Sequence, residues 1–454
     1  MNSRLIFHIA IALFAIFLSL PTSAEGDAAN QLLFTNVMIF DGVNETRMAG
    51  NVLVEGNLIK KVSAEAINAP EATVISGGGR TLMPGLIDMH THLSAFLPLA
   101  YAKSSLHPYA HGALATLRAE EFLMNGYTTV RDAGGPANYL RKIIDAGLTP
   151  GPRIYPTEQW ITTTSGHGDF RGLNDAHPSL NGNAGFYSEY VSIIADGPDE
   201  TTRAVRSAFR SGATQIKLFT SGGVTSEFDP LHSGPNAEEI RAAVAVAEAW
   251  DTYVLTHAFT EEAIRLSIDN GVKSIEHAPF LTDDIAKVMI EKDIYLATSV
   301  APVFMIDVEV ARKQYTAASF KKWKRVRDAA ENAMKVMAAN PELKVVLGSD
   351  LLAPIEKMKA TDDAMNLDFK HFGEAFGAYR TLKMATSLAG EMTLMTGKMN
   401  PYTAGPLGVV QVGAYADLLL VNGNPLKNIL LMIDPDKNFK IIMKDGKIYK
   451  NTLK

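Results

Sequence analysis

At 454 residues the chain exceeds the roughly 250–300 residues at which one hydrophobic core stops growing, so a large domain with a smaller companion is expected. A hydrophobic fraction of 47% and a charged fraction of 20% are those of an ordinary globular protein, and a net charge of −6 leaves no electrostatic footprint for nucleic acid. With no cysteine, the chain has neither disulfides nor a lipid-bearing Cys.

Residues 1–24 read as a secretory signal peptide: Arg4 gives a positive start, residues 5–20 are apolar, and Thr22-Ser23-Ala24 offers a small-residue cleavage site before Glu25. The apolar stretch is short of the ~20 residues that span a bilayer, which argues against an uncleaved anchor helix. The mature protein is expected to be exported, most simply to a bacterial periplasm, with no stable membrane insertion. Residues 25–83 then alternate short β-rich runs with turns: LLFTNVMIFD, NVLVEGNLIKKV and ATVISGGGRTLM, with Asp41-Gly42 and Glu55-Gly56 as turn pairs. The C-terminal residues 401–454 repeat that texture in DLLLVNGNP (417–425) and FKIIMKDGKIYK (439–450), the latter turning at Asp445-Gly446. The two ends are expected to pair into one small composite β-sandwich domain.

Between them, residues 84–400 alternate short apolar runs with helical patterns. The candidate strands, in order, are GLIDMHTHL, YTTVRDAG, RIYPTEQW, TQIKLF, TYVLTHA, SIEHA, IYLATS and VVLGSD. Helices such as AEEIRAAVAVAEAW (237–250), with Asn236 and Glu239 in a capping-box pattern, and TEEAIRLSIDNG (260–271), ending at Gly271, separate them. Eight strands alternating with helices imply an α/β protein, a (β/α)8 TIM barrel whose functional face lies at the strand C-termini. The basic run KKWKRVR (321–327) reads as an exposed helix face. Two connections, 94–112 with His107 and His111 and 164–200, are too long for simple barrel turns and are expected to be binding loops.

The strand ends carry the chemistry. His90 and His92 end the first strand two residues apart, Lys217 lies in the fourth, His257 and His277 close the next two, and Asp350 follows VVLGS. One such His is ordinarily a core residue, but four of the eleven His at strand ends in this order read as a metal centre that activates water. His and carboxylate ligands suit zinc. An ammonium beside cations would be repelled; buried Lys217 can instead lose its proton and react with carbon dioxide, and the resulting carbamate suits a bridge between two divalent ions. On the loops, His167 and Arg171 are candidate contacts for a substrate carboxylate, with His167 also a candidate carbonyl polariser. Gly222 and Gly223 would admit close backbone approach to a ligand, and Tyr187 and Tyr190 are candidate pocket walls.

These motifs resemble the amidohydrolase superfamily across essentially the whole mature chain, most specifically in PGLIDMHTHL (84–93) and ADLLLVNGNPL (416–426). SGHGDFRG (165–172), ADGPDETTRAVR (195–206) and QIKLFTSGGVTS (215–226) resemble the branch of metal-dependent dipeptidases and carboxypeptidases acting on Xaa-Pro and N-acyl amino acids, to which ochratoxin-hydrolysing amidases belong. The resemblance implies that His90, His92 and Asp350 hold the more buried metal, His257 and His277 the other, and carbamylated Lys217 bridges them. Asp350 would take the proton of the attacking water and deliver it to the leaving nitrogen of a small amide or dipeptide. It also implies a homo-oligomer. An imidazolonepropionase-like cyclic amide hydrolase and a deaminase are alternatives on the same scaffold, as is a non-catalytic binding relative, although no ligand position is lost here.

Overall fold

The computed structural model describes residues 31–94, 96–97, 107–172, 174–180, 190–226, 231–232, 234–299, 308–351, 353–354 and 365–453. The expected signal peptide and Tyr187 lie outside the described residues. No described helix is long and apolar enough to cross a membrane.

The two chain ends meet in one eight-stranded sheet. Strands β1 (Gln31–Ile39), β2 (Met48–Glu55), β3 (Leu58–Ser63), β4 (Thr73–Ser76) and β5 (Thr81–Pro84) come from the N-terminal side. The core strands follow as β6 (Leu86–Thr91), β7 (Phe96–Leu97), β8 (Tyr127–Asp132), β9 (Arg153–Pro156), β10 (Trp160–Thr162), β11 (Ser192–Ile194), β12 (Ile216–Phe219), β13 (Val254–Ala258), β14 (Ser274–His277), β15 (Tyr295–Thr298), β16 (Val345–Leu347) and β17 (Ala353–Pro354). Strands β18 (Leu418–Val421), β19 (Phe439–Lys444) and β20 (Lys447–Asn451) return to the end sheet, whose order is β20-β19-β18-β5-β1-β2-β3 with β4 beside β1. Asp445 and Gly446 carry φ of 56° and 71°, the two left-handed residues that a tight hairpin between twisted strands requires. Phe34, Ile39, Leu418, Leu420 and Ile441 form the buried face of this sheet, and Arg153 of β9 ties it to the core through Asp417 at 3.1 Å.

The core strands are parallel. They fall into a three-stranded sheet, β6-β8-β9, and a seven-stranded one, β11-β10-β12-β13-β14-β15-β16. Their order follows the expected one except at RIYPTEQW, which is broken in two. Glu158 adopts φ 57° between β9 and β10, so β9 pairs with β8 while β10 pairs with β12 and β11. Strand β11 lies inside the 164–200 connection that was expected to be loop. The two sheets are stitched by Thr214 N–H donating to Pro156 O at 2.8 Å and by Asp350 N–H donating to His90 O at 2.8 Å. Strands β7 and β17 pair directly beyond β6 and β16.

The strands are buried on both faces, which is why they read as apolar runs. Ile216, Leu218, Ile275 and Leu296 pack under helices through Ile240, Ile264 and Ile285, and Ile87, Met89, Leu255 and Val346 pack on the other side. Full burial of such a side chain contributes about 1.5–3 kcal/mol. The helix Ala237–Ala249 begins with the expected capping box, Asn236 Oδ1 accepting Glu239 N–H at 3.1 Å and Glu239 Oε2 accepting Asn236 N–H at 2.7 Å. The basic run falls in the helix Ala317–Ala339, but it is not one exposed face: Trp323 and Val326 are buried, and Lys322 Nζ donates to Ser226 O at 2.6 Å.

Candidate metal centre

All six expected ligands come together. Lys217 of β12 lies opposite Leu255 of β13, and His257 lies opposite Glu276 of β14, so register alone turns Lys217, His257 and Glu276 toward the same side. His90, His277 and Asp350 need local departures. Three steps along β6, from Asp88 to Thr91, match two along β8, a one-residue bulge that lets both His90 and His92 face the centre. Alternation would send His277 away from Glu276, but φ of 70° at His277 and 44° at Ala278 swings the chain round; Asp350 has φ 50°. Left-handed backbone at such residues costs roughly 1–3 kcal/mol, and two of the nine described non-glycine residues with positive φ, His277 and Asp350, are candidate ligands.

Asp350 Oδ1 lies 3.6 Å from His90 Nε2 and 3.4 Å from His92 Nε2, and its Oδ2 lies 3.7 Å from His277 Nδ1. Lys217 Nζ is 3.4 Å from His90 Nε2. The ligating atoms of His90, His277 and Asp350 all lie within 4.8 Å of one another. Donors about 2.1 Å from one tetrahedral ion stand roughly 3.4 Å apart, so these residues fit a divalent metal. His257 Nε2 faces Gly222 O at 3.1 Å, and a carbonyl only accepts, so Nε2 carries the proton and Nδ1 is the lone pair. Burial holds His90, His257 and His277 well below the usual imidazole pKa, leaving them neutral. Burial also lowers Lys217 to about 8, so its free amine is more accessible at neutral pH than that of an exposed lysine.

Behind the ligands lie groups that sequence reasoning did not assign. His90 Nδ1 meets Glu276 Oε2 at 2.6 Å, and Arg131 Nη2 donates to the same oxygen at 2.7 Å. His92 Nδ1 donates to Gly134 O at 3.1 Å. Asp132 holds that carbonyl's loop by accepting Gly134 N–H at 3.1 Å and Leu93 N–H at 2.8 Å; burial pushes its carboxyl up to about 6. The available signal was a charge in the middle of an apolar strand: Arg131-Asp132 in YTTVRDAG and Glu276 in SIEHA.

The loop side brings in His167, stacked on His257 with ring centroids 4.4 Å apart. Its Nδ1 lies 2.6 Å from Ser226 Oγ, which also accepts Gly223 N–H at 2.9 Å. A Cβ on Gly223 would come within 2.6 Å of His167 Cε1, so this position needs glycine for close approach to the imidazole. Burial drives His167 down to about 4. Gly222 and Gly223 thus support His257 and His167. Arg171 is engaged on its own loop, bound through two nitrogens to Asp169 at 2.8 and 2.6 Å. Tyr190 is exposed.

A His/Asp cluster on the strand ends of a parallel α/β core marks the class of metal-dependent hydrolases. The amidohydrolase family profile matches residues 81–449, and the chain belongs to that family. Ochratoxinase from Aspergillus niger is 28% identical over 444 residues, covering 94% of this chain and 88% of the relative. A prolidase crystal structure in complex with N-methylphosphonate-L-proline is 29% identical with a TM-score of 0.84, covering 93% of this chain and 100% of that one. A Xaa-Pro dipeptidase crystal structure with bound methionine is 25% identical with a TM-score of 0.77 over 93% of this chain and 100% of the other. The protein is accordingly a hydrolase acting on C–N amide bonds.

Proposed function

We propose that this enzyme cleaves the amide bond of small dipeptides or N-acyl amino acids, with proline or another apolar residue on the C-terminal side and ochratoxin-like amides within reach. The convergence of His90, His92, Lys217, His257, His277 and Asp350 carries the proposal, and the named activities of the relatives support it. Two zinc ions would be held by this donor set, one by His90, His92 and Asp350 and the other by His257 and His277, with Lys217 contributing as its carbamate. When bound, the ions supply an activated water and polarise the carbonyl. Asp350 accepts the water's proton and returns it to the leaving nitrogen.

His167 has a defined part. Among the described residues the Ser226 hydroxyl has one partner for its proton, His167 Nδ1, because Gly223 N–H is itself a donor. We therefore assign the imidazole proton to Nε2, and a neutral N–H donor of this kind suits the developing negative charge on the carbonyl oxygen.

We further propose that the two parallel sheets close into one (β/α)8 barrel, with residues 25–83 and 401–454 as its companion β domain, in a homo-oligomer. Export is proposed to remove residues 1–24. Mass spectrometry of protein from a secreting host should begin near Glu25; a mature chain retaining Met1 would refute cleavage.

The substrate class is tested by comparing free-acid and α-amidated N-acyl amino acids. A charged hydrogen bond to the carboxylate is worth roughly 1.5–3 kcal/mol, so amidation should lower kcat/KM at least about tenfold. Equal cleavage of both would defeat the dipeptidase reading in favour of a cyclic or simple amide.

A further inference from the structure

The parallel core buries a charge pair that the chemistry above does not use. Arg131 of β8 and Glu276 of β14 are both fully buried, on strands that are not neighbours. Such a pair is weak evidence for stability, because well-packed apolar residues in its place are often as stable or more so. Its geometry points elsewhere. Glu276 Oε2 receives His90 Nδ1 at 2.6 Å and Arg131 Nη2 at 2.7 Å, while Oε1 accepts the Ser274 hydroxyl. Arg131 is itself aimed by Tyr253 Oη at 3.0 Å, Ser274 Oγ at 3.2 Å and the Met89 carbonyl, one residue before His90.

We propose that Glu276, with Arg131 as its counter-charge, is a positioning residue that fixes His90 in its metal-ligating tautomer before any ion arrives. The inference rests on reading the cluster as a metal centre and not on the substrate. A carboxylate accepts, so the imidazole proton sits on Nδ1 and the lone pair on Nε2. That lone pair faces Lys217 Nζ at 3.4 Å and lies 3.6 Å from Asp350 Oδ1. The opposite tautomer sets a lone pair against the carboxylate and an N–H against the Lys217 amine. His92 and His257 are oriented by backbone carbonyls, those of Gly134 and Gly222. His90 alone of the three is backed by a carboxylate with its own counter-charge.

The test has two readouts, neither of them activity. In metal-free full-length protein with 15N-labelled histidine, the His90 signals (assigned by their loss in His90→Gln) should report a proton on Nδ1; a proton on Nε2 overturns the proposal. In Arg131→Met/Glu276→Leu, which replaces the pair by apolar groups, the Kd for Zn2+ measured against a chromophoric chelator should rise roughly 10–100-fold. The His90 tautomers should then mix. Glu276→Gln keeps an acceptor oxygen and should retain the Nδ1 proton with a smaller loss of affinity. Zinc binding within twofold of the parent in the double variant overturns the proposal. If the double variant does not fold, the tautomer of the parent and the zinc affinity of Glu276→Gln still decide it, an unchanged affinity counting against. Failure to cleave dipeptides would defeat the substrate reading and leave both readouts standing.

Discussion

His90, Lys217 and His257 sit within buried strands, those of Lys217 and His257 paired on both sides and that of His90 with β8, and each takes its direction from strand register or from a single bulge. His167 is held differently: it lies on the connection after β10, and a serine hydroxyl, a glycine and a ring stacked at 4.4 Å keep it in place. The strand side has a lattice of main-chain bonds behind Lys217, His257 and Glu276. The loop side has a few side-chain contacts that another sequence could replace. A centre of this kind separates two tasks: strand ends hold the donors that all substrates share, and loops set the groups that meet one substrate in particular.

That division makes predictions of decreasing size. Removing a strand-borne donor should be worst. Lys217→Ala should abolish most activity and take the zinc content, expected at about two ions per chain, with it; the loss should exceed the roughly 10–100-fold typical of a residue behind a ligand. Short carboxylic acids with added zinc should restore part of the activity by replacing the carbamate oxygens. Full activity in thoroughly metal-stripped parent protein would end the metal reading altogether.

His167→Ala comes next. Loss of a donor to the developing oxyanion should lower kcat by about 100–1000-fold while leaving the zinc content unchanged. A matching loss of zinc would break the division, since it would place His167 among the strand-side supports.

The smallest effect concerns the framework. Glu158 lies in the break between β9 and β10, accepts Asn138 N–H at 2.7 Å at the start of the helix Ala137–Asp145, and is pushed up by burial from 4.5 to about 8. The folded state therefore keeps a proton that the unfolded chain has shed. Stability from this group is fully present below pH 4.5 and falls as pH rises toward 8, by at most about 1.4 kcal/mol per unit. Glu158→Gln should flatten that decline in urea titrations at pH 5, 6.5 and 8. An unchanged slope would show that the carboxyl is ionised in the fold.

Much of this was legible in the chain itself, for local reasons. Asn236 and Glu239 are a cap because one helical turn brings them together, and Asp445-Gly446 is a turn because few other pairs accept two positive φ values. The candidate ligands were visible because a metal needs particular donors and parallel strands deliver them at their C-terminal ends. A bulge as well as alternation brings both rings of His90-X-His92 to Asp350. What alternation could not show was His277, whose orientation depends on left-handed backbone after β14.

The sequence by itself determined which residue types were available and roughly where each strand would end. Tertiary structure decided the partnerships: that RIYPTEQW breaks so that β9 and β10 serve different sheets, that Arg171 is engaged by Asp169, that Lys322 leaves its basic run for the Ser226 carbonyl, and that Arg131 finds Glu276 across the core. Propensity, periodicity and capping act over a few residues, so they leave a trace in any short window. A buried charge is acceptable only where its counter-charge and hydrogen bonds arrive from other strands, and that is settled by how the whole chain packs.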